Sequence, residues 1–393
     1  MNLPRAQQVL VEAGVDALVA TSWQNVFYVS GYEGFSQRLS PYTQVYALAR
    51  AGALEAPTLI APIGDLDMQA QFPASLGSLH PYGRFYVVAN GSGGPLEGEI
   101  ARYEPIALAE SGGTAVEALL DELAKLPPAA RIAIDERGMA SDAYAGVSAK
   151  LGERVVPGAA LLDRIRMVKT DEEVRRLEAA ARVMEVSFQA AIDAAHEGMS
   201  EAEMGYVFDC RTLQQGSAPV FTVICFGERG VFPNAIPSSD RRLRRGDLIR
   251  FDIGCRTEMY SSDISRTAVF GEPSAKLRSY YQAILEGEER AIQMMRPGTP
   301  ARDVFDAAVR GTREGGIPHY ERNHVGHAIG LDIYDLPIIN AASETPLEAG
   351  MVFEVETPYY ELGWGGVQVE DTVVITANGH RLLTQLSRDL FVI

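Results

Sequence analysis

The chain has 393 residues, long for one core and enough for two domains, with the 47% hydrophobic content of an ordinary globular protein. Its formal charge of −17, from 52 acidic against 35 basic residues, argues against a nucleic acid or an anionic membrane as partner, since either asks for a basic surface. No run approaches the roughly 20 apolar residues of a membrane span, no signal peptide is visible, and Cys210, Cys225 and Cys255 lack the paired spacing of a zinc or disulfide framework, so a reduced, cytoplasmic setting is expected.

Pro4 to Ala13 reads as a helix. The apolar runs Asp16 to Ala20, Val45 to Ala49 and Thr58 to Ala61 follow, broken by Gly and Pro, as in an α/β domain with a mixed sheet. Ala115 to Lys125 is a second helix and Arg131 to Asp135 a further strand. A Pro-Gly pair interrupts the pattern around Val155 to Ala160, which puts a domain boundary near residue 160, giving domains 1–160 and 161–393. Thr170 with Glu173 forms a capping box that opens a helix running to Ala195. Helical segments follow at Glu201 to Gln214, Ala275 to Met295 and Ala301 to Gly311. Strand-like runs lie between and after them at Phe221 to Phe226, Asp247 to Gly254, Asp263 to Phe270, Gly350 to Thr357 and Gly366 to Thr376. Helices and antiparallel hairpins in this alternation indicate an α+β layer.

The strands carry metal-type ligands. Asp252 and Asp263 occupy the two arms of a predicted hairpin, separated by a short polar loop, where cross-strand neighbours approach within about 5 Å. An unpaired charge in such apolar stretches would cost several kcal/mol. His327 is flanked by Gly326 and Gly330, small residues that admit a crowded centre. Glu354 and Glu356 share one face of their strand, so alternation leaves the choice between them open, and Glu370 closes the set. Four carboxylates and an imidazole on one sheet repel each other unless cations hold them, and a carboxylate-bridged pair of divalent ions both stabilises such a cluster and activates water.

With these motifs and Asn25-Val26-Phe27-Tyr28-Val29-Ser30-Gly31, nearly the whole chain resembles the pita-bread metallohydrolases, the family of prolidase, aminopeptidase P, methionine aminopeptidase and creatinase. The resemblance implies a creatinase-like α/β N-terminal domain, a pita-bread catalytic domain and a homodimer. It assigns Asp252, Asp263, His327, Glu356 and Glu370 as ligands of two divalent ions, Mn first and Co, Zn or Fe as alternatives, with Glu356 as proton shuttle. It implies hydrolysis of an Xaa-Pro peptide bond. The alternatives are a small amide or amidine hydrolase of creatinase or ectoine hydrolase type, or a metal-dependent lyase. The surrounding shell departs from the peptidase pattern. Asn234 follows Pro233 where relatives have histidine. Asn323 stands four residues before His327 in place of another, with His324 next to it as a substitute. Tyr334-Asp335 replaces His-Glu, and Gln368 replaces an arginine that would meet a dipeptide's carboxylate. Asn234, His324 and Tyr334 are therefore the expected substrate-facing residues beside Glu356. Elsewhere, His80 is read as a loop residue, His196 as a helix-end cap, His380 as part of a surface turn, and Arg241, Arg242, Arg244 and Arg245 as a solvated turn.

Overall fold

The computed structural model describes residues 1–40, 42–89, 91 and 93–393, and divides into two units, Met1–Arg166 and Met167–Ile393. No helix among the described residues is long and apolar enough to cross a membrane.

In the first unit the Asn2 side chain caps the helix Leu3–Ala13, and Gly14, left-handed at φ 61°, ends it. Strands β1 (Ala17–Ala20), β2 (Tyr46–Arg50), β3 (Ala53–Pro62), β4 (Ser78–Tyr82), β5 (Ile132–Ile134) and β6 (Val155–Pro157) form a sheet in the order β4-β3-β2-β1-β5-β6. The pairings β1–β2 and β2–β3 are antiparallel and the others parallel, which makes the sheet mixed as expected. Its core joins Val19, Leu48, Ile60 and Ile134 to Leu119 and Leu123 of the helix Ala115–Leu123. The Asn25 segment is helical, Trp23–Ser30, and Asn25 is buried between Asp135, to which it donates at 2.7 Å, and Arg166, from which it accepts at 2.9 Å. His80 lies in β4 rather than a loop, its Nδ1 2.9 Å from Glu122, because the Pro81 next to it is tolerated at a sheet edge.

In the second unit the strands are β7 (Ala218–Phe226), β8 (Leu248–Thr257), β9 (Tyr260–Val269), β10 (Gly326–Ala328), β11 (Asp335–Ile338), β12 (Val352–Glu356), β13 (Tyr359–Glu361), β14 (Gly365–Val367), β15 (Glu370–Thr376), β16 (Gly379–Leu382) and β17 (Phe391–Val392). The large sheet runs β11-β10-β12-β15-β9-β8-β7, with β16 on β15 and β17 on β9, while β13 and β14 pair separately. The expected strand from Gly366 to Thr376 is therefore two strands, interrupted at Gln368 and Val369. The expected polar loop between Asp252 and Asp263 is mostly strand. Its turn is only Glu258 and Met259, both at positive φ (47° and 73°) as a tight hairpin turn demands. His380 sits in β16, its Nδ1 3.0 Å from the Met295 carbonyl, and not in a turn.

Alternation sorts the faces of this sheet. Ile249, Phe251, Ile253 and Ile264 pack with residues of the helices Asp171–Asp193 and Glu201–Gln214. Phe353, Val355, Val373 and Ile375 pack with the helices Ala275–Met294 and Ala301–Gly315. Asp252, Asp263, Glu356 and Glu370 are out of phase with these apolar residues and face the other side. The capping box Thr170/Glu173 is formed on both sides, Thr170 Oγ1 accepting from the Glu173 N–H and the Glu173 carboxylate from the Thr170 N–H.

Candidate metal centre

Asp252 pairs in register with Ser265, and Gly254 with Asp263. The two aspartates are thus diagonal neighbours on one face rather than directly opposed. Antiparallel pairing then sets Glu356 against Glu370 and Glu354 against His327. Among the described residues, Asp263, His327 and Glu370 form the one group of potential ligands whose donor atoms lie within 4.8 Å of one another. Asp252 and Glu356 lie outside that tight group but stand close enough to repel Asp263 and Glu370 electrostatically.

His327 is presented as a ligand would be. Its Nδ1 lies 3.1 Å from the Ala328 carbonyl, which assigns the proton there and leaves Nε2 as acceptor, 3.8 Å from Asp263 Oδ2. Burial lowers its pKa to about 4, so the ring is neutral. Gly326 makes this strand possible. At φ 138°, a Cβ on it would lie 2.0 Å from the Glu354 carbonyl oxygen, so Gly326→Ala is expected to lower stability by about 3 kcal/mol or more, measured by urea unfolding; an unchanged midpoint would refute this close approach.

With protein charges alone the carboxylates are frustrated. Burial first, then Asp252 and neighbouring glutamates, hold Asp263 well above the usual range. Burial and Asp263 do the same to Glu370, even though Ser265 Oγ donates to it at 2.7 Å. Burial pushes Glu356 up to about 7 against the pull of Arg322. Asp263 Oδ1 is buried with no hydrogen-bond partner. Orphaned, mutually repelling oxygens around a neutral imidazole fit hard or borderline divalent cations, which would supply the missing partner. Glu354 is also fully buried and raised by burial, but Thr372 Oγ1 donates to it at 3.1 Å.

The residues expected to face substrate are placed unevenly. His324 Nδ1 comes within 3.2 Å of Glu356 Oε1, without hydrogen-bond geometry. Tyr334 is half exposed and stacks on His327 with ring centroids 3.7 Å apart, while Asp335 turns towards Lys169 Nζ at 3.4 Å. Asn323 is exposed and lines a cavity of about 580 Å³ with Arg313, Asp306 and Arg322. Asn234 is exposed, in a segment tied to the site through Arg250.

Two arginines that flank Tyr360 beside these acids escaped the sequence reading. Arg250, fully buried, donates to Asp252 (3.1 Å), Gln368 Oε1 (2.8 Å) and the carbonyls of Phe232 (2.6 Å) and Pro233 (3.3 Å). Arg322 lies 3.6 Å from Glu356 Oε1, with 18% of its side chain exposed. Both guanidiniums flank the Tyr360 ring, at 5.3 and 5.8 Å. The absence of arginine at position 368 therefore does not leave the site without cations. The available signal was Arg250 standing two residues before Asp252, hence on its face of the strand.

A model of metallopeptidase family M24 matches residues 175–377, and a model of the creatinase/prolidase N-terminal domain matches residues 3–168. The Xaa-Pro dipeptidase of Pyrococcus furiosus is 37% identical over 228 residues, and that of Pyrococcus horikoshii 34% identical over 228 residues. Each alignment covers 58% of this chain, and the chain spans 65% of the length of each of these curated relatives. Among solved structures, the prolidase from Pyrococcus horikoshii superposes with a TM-score of 0.78 at 25% identity, over 99% of both chains.

Proposed function

The chain belongs to the M24 metallopeptidase family, and from that premise we propose that it is a dinuclear metal-dependent hydrolase of amide bonds, an Xaa-Pro peptidase. The observation that carries the reading is the gathering of Asp263, His327 and Glu370 donor atoms within 4.8 Å, with Asp263 Oδ1 lacking any protein partner. Asp252, Asp263, His327, Glu356 and Glu370 would hold two divalent ions, Mn foremost because four of the five ligands are carboxylates. Such ions supply Lewis acidity that acidifies water and polarises a carbonyl.

The chain's own residues do the rest. Glu356, with Gln368 Nε2 3.3 Å from its Oε2 and His324 close to its Oε1, is held to pass a proton to the leaving nitrogen. Tyr334, fixed by its stack on His327, and Asn234 are the hydrogen-bond donors proposed for the developing oxyanion. Arg322, partly exposed beside Glu356, offers a charge for the carboxylate of a dipeptide. Arg322→Ala is accordingly expected to raise KM for Xaa-Pro dipeptides about tenfold while sparing tripeptides, whose carboxylate lies further out; equal effects on both would remove Arg322 from this role.

The reading extends to a homodimer, for which exposed Tyr42, Tyr86 and Val88 offer apolar surface, and to a reducing cytoplasm, in keeping with three free cysteines. The test is a panel of Xaa-Pro dipeptides and tripeptides with added Mn. Cleavage at the Xaa-Pro bond is the expected result. Failure of every peptide alongside hydrolysis of a small amide would favour the creatinase-like or ectoine hydrolase-like alternative.

A further inference from the structure

The proposed ligands come from two half-sheets. Asp252 and Asp263 belong to the β8–β9 hairpin, and His327, Glu356 and Glu370 to β10, β12 and the start of β15. The hairpin is paired along its length, from Leu248↔Val269 to Thr257↔Tyr260. Between β9 and β15, in contrast, the ladder is a single register pair, Ser265↔Glu370. The joint that sets the distance from Asp263 to Glu370 is therefore the weakest point of the backbone pairing.

Side chains make up the deficit. On the carboxylate face Thr267 Oγ1 donates to the Gln368 carbonyl at 2.9 Å and accepts from the Gln368 N–H at 2.9 Å. On the helix-packed face Arg266, fully buried, places one guanidinium nitrogen against both carbonyls of the joint, Ser265 at 2.9 Å and Glu370 at 2.6 Å. Its other nitrogens donate to Asp371 Oδ1 (2.6 Å), Leu386 O (3.1 Å) and Ser387 O (2.8 Å). Each of its five N–H groups thus has an acceptor. Asp371 is itself fixed by Thr384 Oγ1 at 2.5 Å, and Arg388 stands 3.6 Å from its other oxygen.

We propose that Arg266 is a positioning residue for the metal centre: anchored on Asp371, it locks the spacing of Ser265 and Glu370 from behind the sheet, and so the spacing of the two half-sites. The planar fork is what the task requires. A lysine brings the charge but only a point donor, and cannot span two carbonyls and a carboxylate in one plane. A purely stabilising ion pair would show no such preference.

The proposal rests on the metal-centre reading, and the test separates the two. Wild type, Arg266→Lys and, should that variant not fold, Asp371→Asn are titrated with Mn under EPR detection. Asp247→Asn, which breaks the bidentate Arg241–Asp247 pair (2.8 and 3.0 Å) elsewhere in the unit, is the stability control. Wild type and control are expected to show the signal of two coupled Mn ions. The Arg266 or Asp371 variant is expected to bind the second ion about 10–100-fold more weakly, to lose the coupled signal, and to lose kcat with KM little changed. A variant that melts lower, as the control does, yet binds two coupled ions with wild-type affinity overturns the positioning role. A wild type that binds no ion pair sinks the metal-centre reading itself.

Discussion

Asp263→Ala is expected to lower turnover by about a thousandfold or more, equivalent to about 4 kcal/mol of lost barrier stabilisation, and to reduce the metal retained per chain. The reason is positional. Asp263 belongs to the tight ligand group with His327 and Glu370, and its Oδ1 has no other partner. The neutral Asp263→Asn separates two effects that a loss of activity alone would merge. With metal present the substitution removes an anionic ligand and should destabilise the protein. With metal chelated it removes one of several mutually repelling buried carboxylates and should raise the melting temperature at about pH 8. Full activity in Asp263→Ala, or a metal-free Asp263→Asn that melts below the metal-free wild type, would contradict the site as described.

Chelation of the wild type is the second large effect. Activity should vanish and return with added Mn, and the melting temperature should fall by about 10 °C or more as two tightly bound ions are lost. The pH dependence of the chelated protein gives a sharper signature. Burial raises the folded-state pKa of Asp252 against the pull of Arg250, burial and neighbouring anions raise those of Asp263 and Glu370, and burial brings Glu356 up to about 7. Such groups bind more protons in the folded chain than in the unfolded one. Their contribution is complete below the unfolded carboxylate values and is lost as pH rises through the folded ones, up to and beyond about 7 for Glu356. Chelated protein should therefore melt at a higher temperature at about pH 5.5 than at about pH 8, whereas loaded protein, its anions paired, should not show this fall. Identical pH profiles with and without metal would mean that the carboxylates are not the metal's partners.

Much of this was legible in the chain, and the exceptions share a cause. The hairpin arms around Asp252 and Asp263 alternate cleanly because one face packs Ile249, Phe251 and Ile253 against helices, so the phase of the acids could be read. Alternation could not separate Glu354 from Glu356, which share a face; a Thr372 hydrogen bond on one and the pairing of the other with Glu370 are tertiary facts. Arg250 and Arg266 were passed over because charged side chains in strands ordinarily face water. Here both are fully buried and donate to acceptors from segments more than 100 residues away, such as Gln368 and Glu370. The departures at positions 234, 323, 334 and 368 were visible as missing histidines and arginine. That Arg250 and Arg322 bring positive charge back beside Gln368 and Glu356 depended on the folded sheet.

The most direct test of the central claim is elemental analysis of the full chain purified without chelators, followed by incubation with Mn, Co or Zn. Close to two transition-metal ions per chain are expected, falling in Asp263→Ala. No bound metal after such incubation would contradict that claim and void the roles given to Asp252, Asp263, His327, Glu356 and Glu370.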